Sequence, residues 1–521
     1  MSRTTPLAAL LDNPDSVSVY KSGPATLAFL AAEALARRQS VVVVAPGLNE
    51  LTRIAALLEL LAPAAPGTLW GNTVMTLPSY APGLPSGAFW ARRMAFLAHA
   101  ALGTGPRAFL FSADNLLPKW PAREALDGNV LTLAVGEELP RDLVAEQAVL
   151  WGYKRAPMVT GPGEFSLRGD ILDIFPPGYD DPLRLEFFGD TVEAARRFDA
   201  GSQRSLAELT EAVLVPASPA VLSETFKEEA AKLWNTIAGT GELHRAAKAR
   251  LEAAVEADDG CMWPGLYYQK AAALSDWLPE DAAWIVCDAV RVKERLEEAE
   301  HAWRRFFETQ TKEQGYPWPN ARVLWPENMA RKALVSGRRI LFEDLVMGRG
   351  RHGPDLQEKA LERFGDLFWK PGSDKRPWTT LTAALKEWNG HGQTILSFHG
   401  ERSRKKFLQM IEPEGLVFRT SYSPGETGLF ALLSGLRHGM ELSWRDTRIL
   451  AEDILHPESS GGDAGRKRDK DFKGLSSFDD IRPGDLVVHR DYGVATFEGL
   501  TRMTVDATGG DYLLLVFADE D

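Results

Sequence analysis

The sequence predicts a multidomain α/β protein: an α/β module interrupted by an antiparallel α+β domain, then a second α/β domain and a small, truncated β module. Three observations predict it. A strand, a helix and a second strand follow one another within about 30 residues near the start, the mark of a βαβ unit on a parallel sheet. Residues 130–215 switch to period-two alternation broken by turn signals such as Pro-Pro-Gly-Tyr-Asp-Asp, the pattern of an antiparallel sheet. The 521 residues, 45% apolar and 25% charged, are enough for several buried cores.

Taken in order, Val17–Tyr20 is a short β-like run, and Leu27, Leu30, Ala31, Ala34 and Leu35 recur at helical spacing. Val41–Val44 is a continuous apolar strand. The first module is expected over 1–128 and 214–346, with the inserted domain at 129–213. In its second segment, charge-rich helical runs at Glu224–Ala257 and Val290–Glu308 flank the strand-like Ala283–Cys287. The Gly-rich joint Gly348–Pro354 precedes a second α/β domain of unassigned role over 355–455, where the apolar strand Ile395–Phe398 lies among amphipathic helices. His456–Gly474 is poor in hydrophobes and rich in Ser, Gly and charge, so 456–475 is expected to be a flexible linker. Asp485–Leu500 and Tyr512–Phe517 are strand-like and make 476–521 a partial β module. An open sheet edge is normally paired or covered, so the chain is expected to be the N-terminal portion of a longer protein.

Composition narrows the function classes. Lys+Arg 59 against Asp+Glu 72 gives a net charge of −13, which argues against a nucleic-acid grip over most of the surface. Two cysteines, Cys261 and Cys287, cannot build a disulfide framework or a thiolate zinc site, and a reducing, cytoplasmic setting is expected. The first residues lack the apolar core and cleavage site of a signal peptide, and no apolar run approaches the ~20 residues that span a bilayer. No membrane association is expected.

The βαβ opening is where a phosphate-binding loop would lie. Such a loop needs glycines for close backbone approach, a Lys for the phosphates and a Ser or Thr for magnesium. Here it reads Lys21-Ser22-Gly23-Pro24-Ala25-Thr26: the Gly-Lys-Ser/Thr ending is absent and Pro24 removes a donor. The strand Trp284–Cys287 is followed by a lone Asp288 and then Ala289, where paired acids would be needed, and a lone Asp there reads as a turn former or helix cap. The reading is a nucleotide-binding architecture that has lost its ligand; its rival is a divergent helicase or ATPase domain that still binds nucleotide. Gly348–Gly353 matches G-x-G-x-x-G literally, but Pro354 follows at once and no helix opens there. The nine histidines show no metal spacing, and no catalytic or metal-ligating residue is nominated. Two basic clusters, Arg402/Arg404/Lys405/Lys406 and Arg466/Lys467/Arg468/Lys470, read as solubility and linker extension.

One strand carries a surface pattern. In Pro182–Asp190, alternation places Leu183, Leu185 and Phe187 on a core face and Arg184, Glu186 and Phe188 on the other. Arg and aromatic residues anchor interfaces. The alternative is that a helix covers Phe188 and Arg184 simply pairs with Glu186.

Gly163–Gly178 (GEFSLRGDILDIFPPG), Arg184–Asp190 (RLEFFGD), Phe198-Asp199 and Gln203-Arg204-Ser205 together resemble the second domain shared by UvrB and the transcription-repair coupling factor (Mfd) family. Met262–Gln269 with Leu278-Pro-Glu280 resembles the segment before a degenerate Walker B strand, and Asp480–His489, Tyr492-Gly-Val494 and Gly499-Leu500 resemble the RNA polymerase-interaction domain of that family, itself similar to CarD. The chain is thus similar to the N-terminal portion of a coupling factor. The resemblance implies a degenerate RecA-like, UvrB-like first module and an SH3/Tudor-like last one. Implied partners are UvrA, through Arg168, Arg184 and Phe188, and the RNA polymerase beta subunit, through Met503, with Leu500 the alternative if the register shifts. It implies a monomer without cofactor in this portion. ATP and magnesium, and most DNA contact, would belong to a translocase motor C-terminal to it.

Overall fold

The computed structural model describes residues 6–62, 73–85, 87–123, 126, 128–258, 263–343, 356–361, 377–455, 486–489, 493–505 and 508–517. The described residues up to Leu455 form one compact unit, and those from Leu486 onward a second. The expected joint at Gly348–Pro354, the linker, Cys261 and the second basic cluster lie outside the described residues.

Ahead of the insertion, helices and strands alternate: α1 (Pro6–Asp12), β1 (Val17–Tyr20), α2 (Pro24–Ala36), β2 (Val41–Ala45), α3 (Leu48–Leu61), β3 (Val74–Leu77), α4 (Gly87–Leu102), β4 (Ala108–Ser112) and the short β5 (Trp120–Pro121). The insertion holds β6 (Leu131–Ala134), α5 (Arg141–Leu150), β7 (Lys154–Arg155), β8 (Glu164–Arg168), β9 (Ile171–Ile174), β10 (Leu183–Phe188), β11 (Thr191–Phe198), β12 (Ser205–Leu209) and β13 (Glu211–Leu214). The chain returns through α6 (Glu224–Gly239), α7 (Arg245–Glu256), β14 (Ala271–Ala272), β15 (Ala283–Cys287), α8 (Ala289–Gln314) and β16 (Arg339–Glu343). The predicted helical run over Glu224–Ala257 is therefore two helices, each capped by a side chain, Ser223 on Phe226 N–H and His244 on Ala246 N–H.

The first sheet is parallel throughout, in the order β1-β16-β15-β2-β4-β3. Val41, Val43 and Ala45 of β2 face one core and Val42 and Val44 the other, which is why this strand is an unbroken apolar run. One face is covered by α4, α6, α7 and α8, and the other by α1, α2 and α3.

The inserted domain carries the sheet β12-β11-β10-β9-β8-β7, antiparallel except for the β7–β8 pair. Its inner face packs Leu172, Ile174, Leu183, Leu185 and Phe187 against Val144 and Ala148 of α5.

Beyond residue 356 come β17 (Glu358–Ala360), β18 (Gln393–Phe398), β19 (Phe418–Arg419), β20 (Gly428–Leu433), β21 (Met440–Leu442) and β22 (Thr447–Ala451), with helices at Pro377–Trp388 and Glu401–Ile411. Their order is β17-β21-β22-β18-β20-β19, with the last four parallel. Leu396 and Phe398 of β18 face a core of their own with Leu381, Leu385 and Phe407. Ile395, Phe430, Met440, Leu442 and Ile449, from the opposite face of the sheet, join the core of α2 and α3. The two sheets thus share one helical layer. Helix α2, Pro-Ala-Thr-Leu-Ala-Phe-Leu-Ala-Ala-Glu-Ala-Leu-Ala, is apolar almost all round because it is covered from both sides.

In the second unit β23 (Leu486–His489), β24 (Gly493–Val505) and β25 (Thr508–Phe517) form an antiparallel meander. Among the described residues no helix is long and apolar enough to cross a membrane.

Candidate functional site

On the outer face of the inserted sheet, register aligns Ser166 of β8, Asp173 of β9, Arg184 of β10, Arg196 of β11 and Glu208 of β12 in one cross-strand row. Asp173, second in that row, is fully buried. Arg184 grips its carboxylate in a fork, Nε donating to Oδ1 at 2.7 Å and Nη2 to Oδ2 at 2.9 Å. Arg168, on the diagonal, donates from Nη2 to Oδ2 at 2.5 Å. These are charge-assisted bonds, and those to Asp173 raise the Arg184 pKa further. The Arg184 guanidinium also lies 4.6 Å from the centre of the Phe198 ring.

The pairing corrects one expectation. Arg184 is not held by Glu186, the nearest acid in sequence, but by Asp173 on the neighbouring strand; Glu186 is taken by Arg196. Residues directly opposite across strands approach more closely than neighbours two apart along one strand.

Phe188 ends β10 opposite Thr191, across a turn at Gly189 and Asp190 in which Gly189 takes φ +61°. Its ring is 79% exposed, so no helix covers it. It lies about 13 Å along the strand from Arg184, on the same face. Arg168, with its side chain 53% exposed, and Arg184, at 19%, thus share an anchor, while Phe188 stands beyond them at the sheet's end.

The loop between β1 and α2 has a different character. Lys21 is exposed and turns the chain with φ +56°. Ser22 is buried, and its hydroxyl donates to the carbonyls of Tyr20 at 3.1 Å and Leu356 at 2.8 Å. The backbone N–H groups of Gly23, Ala25 and Thr26 converge on the carboxylate of Glu358 at 3.1, 3.3 and 2.9 Å. Burial pushes the Glu358 carboxyl pKa up, and the amide bonds from Thr26 and Ala25 pull against it. A helix N-terminus with converging amides is the place for an anion, and here a side chain from β17 takes it. In this arrangement the amides of Gly23, Ala25 and Thr26 are engaged by that carboxylate, Pro24 offers no N–H, and the Thr26 hydroxyl accepts from Trp444 Nε1 at 3.4 Å.

Asp288 lies at the end of β15 in a left-handed conformation, φ +53°, and its carboxylate accepts from Arg291 N–H at 3.1 Å to cap α8. Leu500 and Met503 lie on β24, paired in register with Leu513 and Gly510. In the basic cluster of the Glu401–Ile411 helix, Arg404 and Lys405 both reach Glu401.

Asp173 and Glu358 escaped sequence reasoning. For Asp173 a signal existed: alternation in Ile171-Leu-Asp-Ile174 puts the acid on the face opposite the core. Glu358 gave none, because more than 300 residues separate it from its partners.

Comparison with known proteins bears on this geometry. A family model described as the UvrB interaction domain matches residues 131–219, the inserted domain. A second, described as the CarD-like/TRCF RID domain, matches residues 481–521. Similar curated proteins include the transcription-repair-coupling factor of Myxococcus xanthus, 27% identical over 87% of this chain and 40% of its own length. That of Mycobacterium tuberculosis strain CDC 1551 / Oshkosh is 27% identical over 97% and 42%, and that of Escherichia coli K12 is 24% identical over 78% and 35%. Over most of its length the chain is similar to the transcription-repair-coupling factors. It spans about two fifths of the length of these coupling factors. Both matched domains are present in one chain, as expected for a coupling factor rather than for UvrB.

Proposed function

We propose that this chain is the adaptor portion of a transcription-repair coupling factor, recruiting the nucleotide-excision-repair protein UvrA to stalled RNA polymerase. The observation that carries the reading is the exposed Phe188 on the same strand face as two guanidinium groups anchored on buried Asp173, within the matched UvrB interaction domain. An aromatic side chain that stands out of a rigid sheet is pre-organised to enter a partner's apolar pocket. Arg168 and Arg184 have further N–H groups beyond those that hold Asp173, suited to carboxylates or carbonyl groups around that pocket.

Contact with the polymerase beta subunit is assigned to the 476–521 module, through Met503 and Leu500. The chain acts as a cytoplasmic monomer, without catalysis of its own. An ATP- and magnesium-dependent motor in another part of the protein supplies translocation and most DNA contact, in keeping with the −13 charge of this portion.

Titration calorimetry with UvrA tests the reading. Phe188→Ala and Arg168→Ala should each weaken UvrA binding by on the order of 2 kcal/mol. Unchanged affinity for both would remove the site assignment. Arg184→Ala weakens it too but also frees Asp173, so Phe188→Ala is the cleaner probe. Met503→Arg should abolish capture of the polymerase beta subunit while UvrA binding persists.

A further inference from the structure

We propose that the β1–α2 loop has become a docking socket, in which the Glu358 carboxylate occupies the place of a nucleotide phosphate and fastens the second sheet to the first module. Three independent contacts converge on this loop and helix from beyond residue 356. The Ser22 hydroxyl holds the Leu356 carbonyl at 2.8 Å, the Glu358 carboxylate takes three backbone N–H groups, and Trp444 reaches the Thr26 hydroxyl. Further along the same helical layer, the Arg445 guanidinium lies 4.8 Å from the centre of the Phe29 ring, and the Ser434 hydroxyl donates to the Ala56 carbonyl at 3.3 Å.

The loop's own sequence fits the role. Gly23 is extended, with φ −108° and ψ −166°, a conformation open to any residue, so backbone strain does not explain the glycine. Space does: a Cβ there would fall 2.6 Å from Glu358 Oε1. Pro24 at the start of α2 forfeits one donor, and the carboxylate needs only the amides of residues 23, 25 and 26. Arg53 of α3 is close enough to favour the ionised carboxylate. Nucleotide exclusion and attachment of the second sheet are then one event. This inference does not depend on which partners the chain recruits.

Hydrogen exchange by mass spectrometry on the full chain tests it, with Glu358→Ala, Gly23→Ala and the double variant. Glu358→Ala should speed exchange at the amides of Gly23, Ala25 and Thr26 at least tenfold, and also loosen the inward-facing strands β21 and β22. A response confined to the loop would overturn the docking role. Gly23→Ala should speed loop exchange in the parent chain but change it less than twofold when Glu358 is already Ala. Equal effects in both backgrounds would overturn the socket. Inorganic phosphate should slow loop exchange in Glu358→Ala and leave the parent unchanged; no slowing would overturn the carboxylate's role as a phosphate stand-in.

Discussion

Asp173 and Glu358 are buried acids that meet opposite fates. Asp173 is neutralised by side chains: two guanidinium groups close over it from neighbouring strands and keep their outer edges toward solvent. Glu358 is met mainly by backbone amides at a helix start, with the second sheet behind it. The first arrangement displays charge outward and leaves donors for another molecule. The second turns its amide donors inward onto a carboxylate of the same chain. A site's availability thus depends on what satisfies the buried charge, not on the charge itself.

The largest effect that would break this comparison comes from Asp173. Asp173→Ala strands the fork of Arg184 over an apolar layer, and loss of one partner of a buried ion pair costs about 3–5 kcal/mol. Urea unfolding should show that loss; a change below about 1 kcal/mol would mean the guanidinium groups are held by something else.

His99 sharpens the comparison from the junction of the first module with the inserted domain. It is buried on α4 and hydrogen-bonded to the Gly178 backbone of the inserted domain, and burial, helped by Arg107, lowers its pKa from 6.5 to about 4. Between those values the unfolded chain binds a proton that the folded chain refuses. Stability therefore falls as pH drops from 6.5 to 4, by roughly 3 kcal/mol at most, and the trend levels off below. Exchange in the Pro176–Asp181 turn should accelerate over that range, and His99→Gln should flatten the profile.

Ser22→Ala removes one hydroxyl that bridges the loop to Leu356 and should cost about 1 kcal/mol in the same unfolding assay. The smallest effect belongs to Phe188→Ala. Its ring is already in solvent, so unfolding should shift by no more than about 0.5 kcal/mol, even though the ring is the proposed anchor for UvrA.

Much of this arrangement was legible where the cause is local. Val41–Val44 and Ala283–Cys287 are strands because unbroken apolar runs suit a sheet covered on both faces. The alternation of Leu183–Phe188 gave its inner and outer faces correctly. The ion-pair partner of Arg184 was missed because the cross-strand register that sets it is not written in β10 alone. The shared helical layer was hidden for a related reason: the apolar completeness of α2 says that something covers its second face, and nothing nearby says what. Nothing in the loop's own sequence says that an acid from β17 meets its amides.

The shared layer also sets an order of events during synthesis. The face of α2 and α3 that the second sheet covers is completed by strands ending near residue 451, more than 380 residues after α3 begins. At about 5–20 residues per second, those helices wait some tens of seconds after leaving the ribosome for their cover. Until then the apolar surface of α2 and α3 that the second sheet covers lacks its final partner. Completion of that layer then waits on the arrival of β21 and β22.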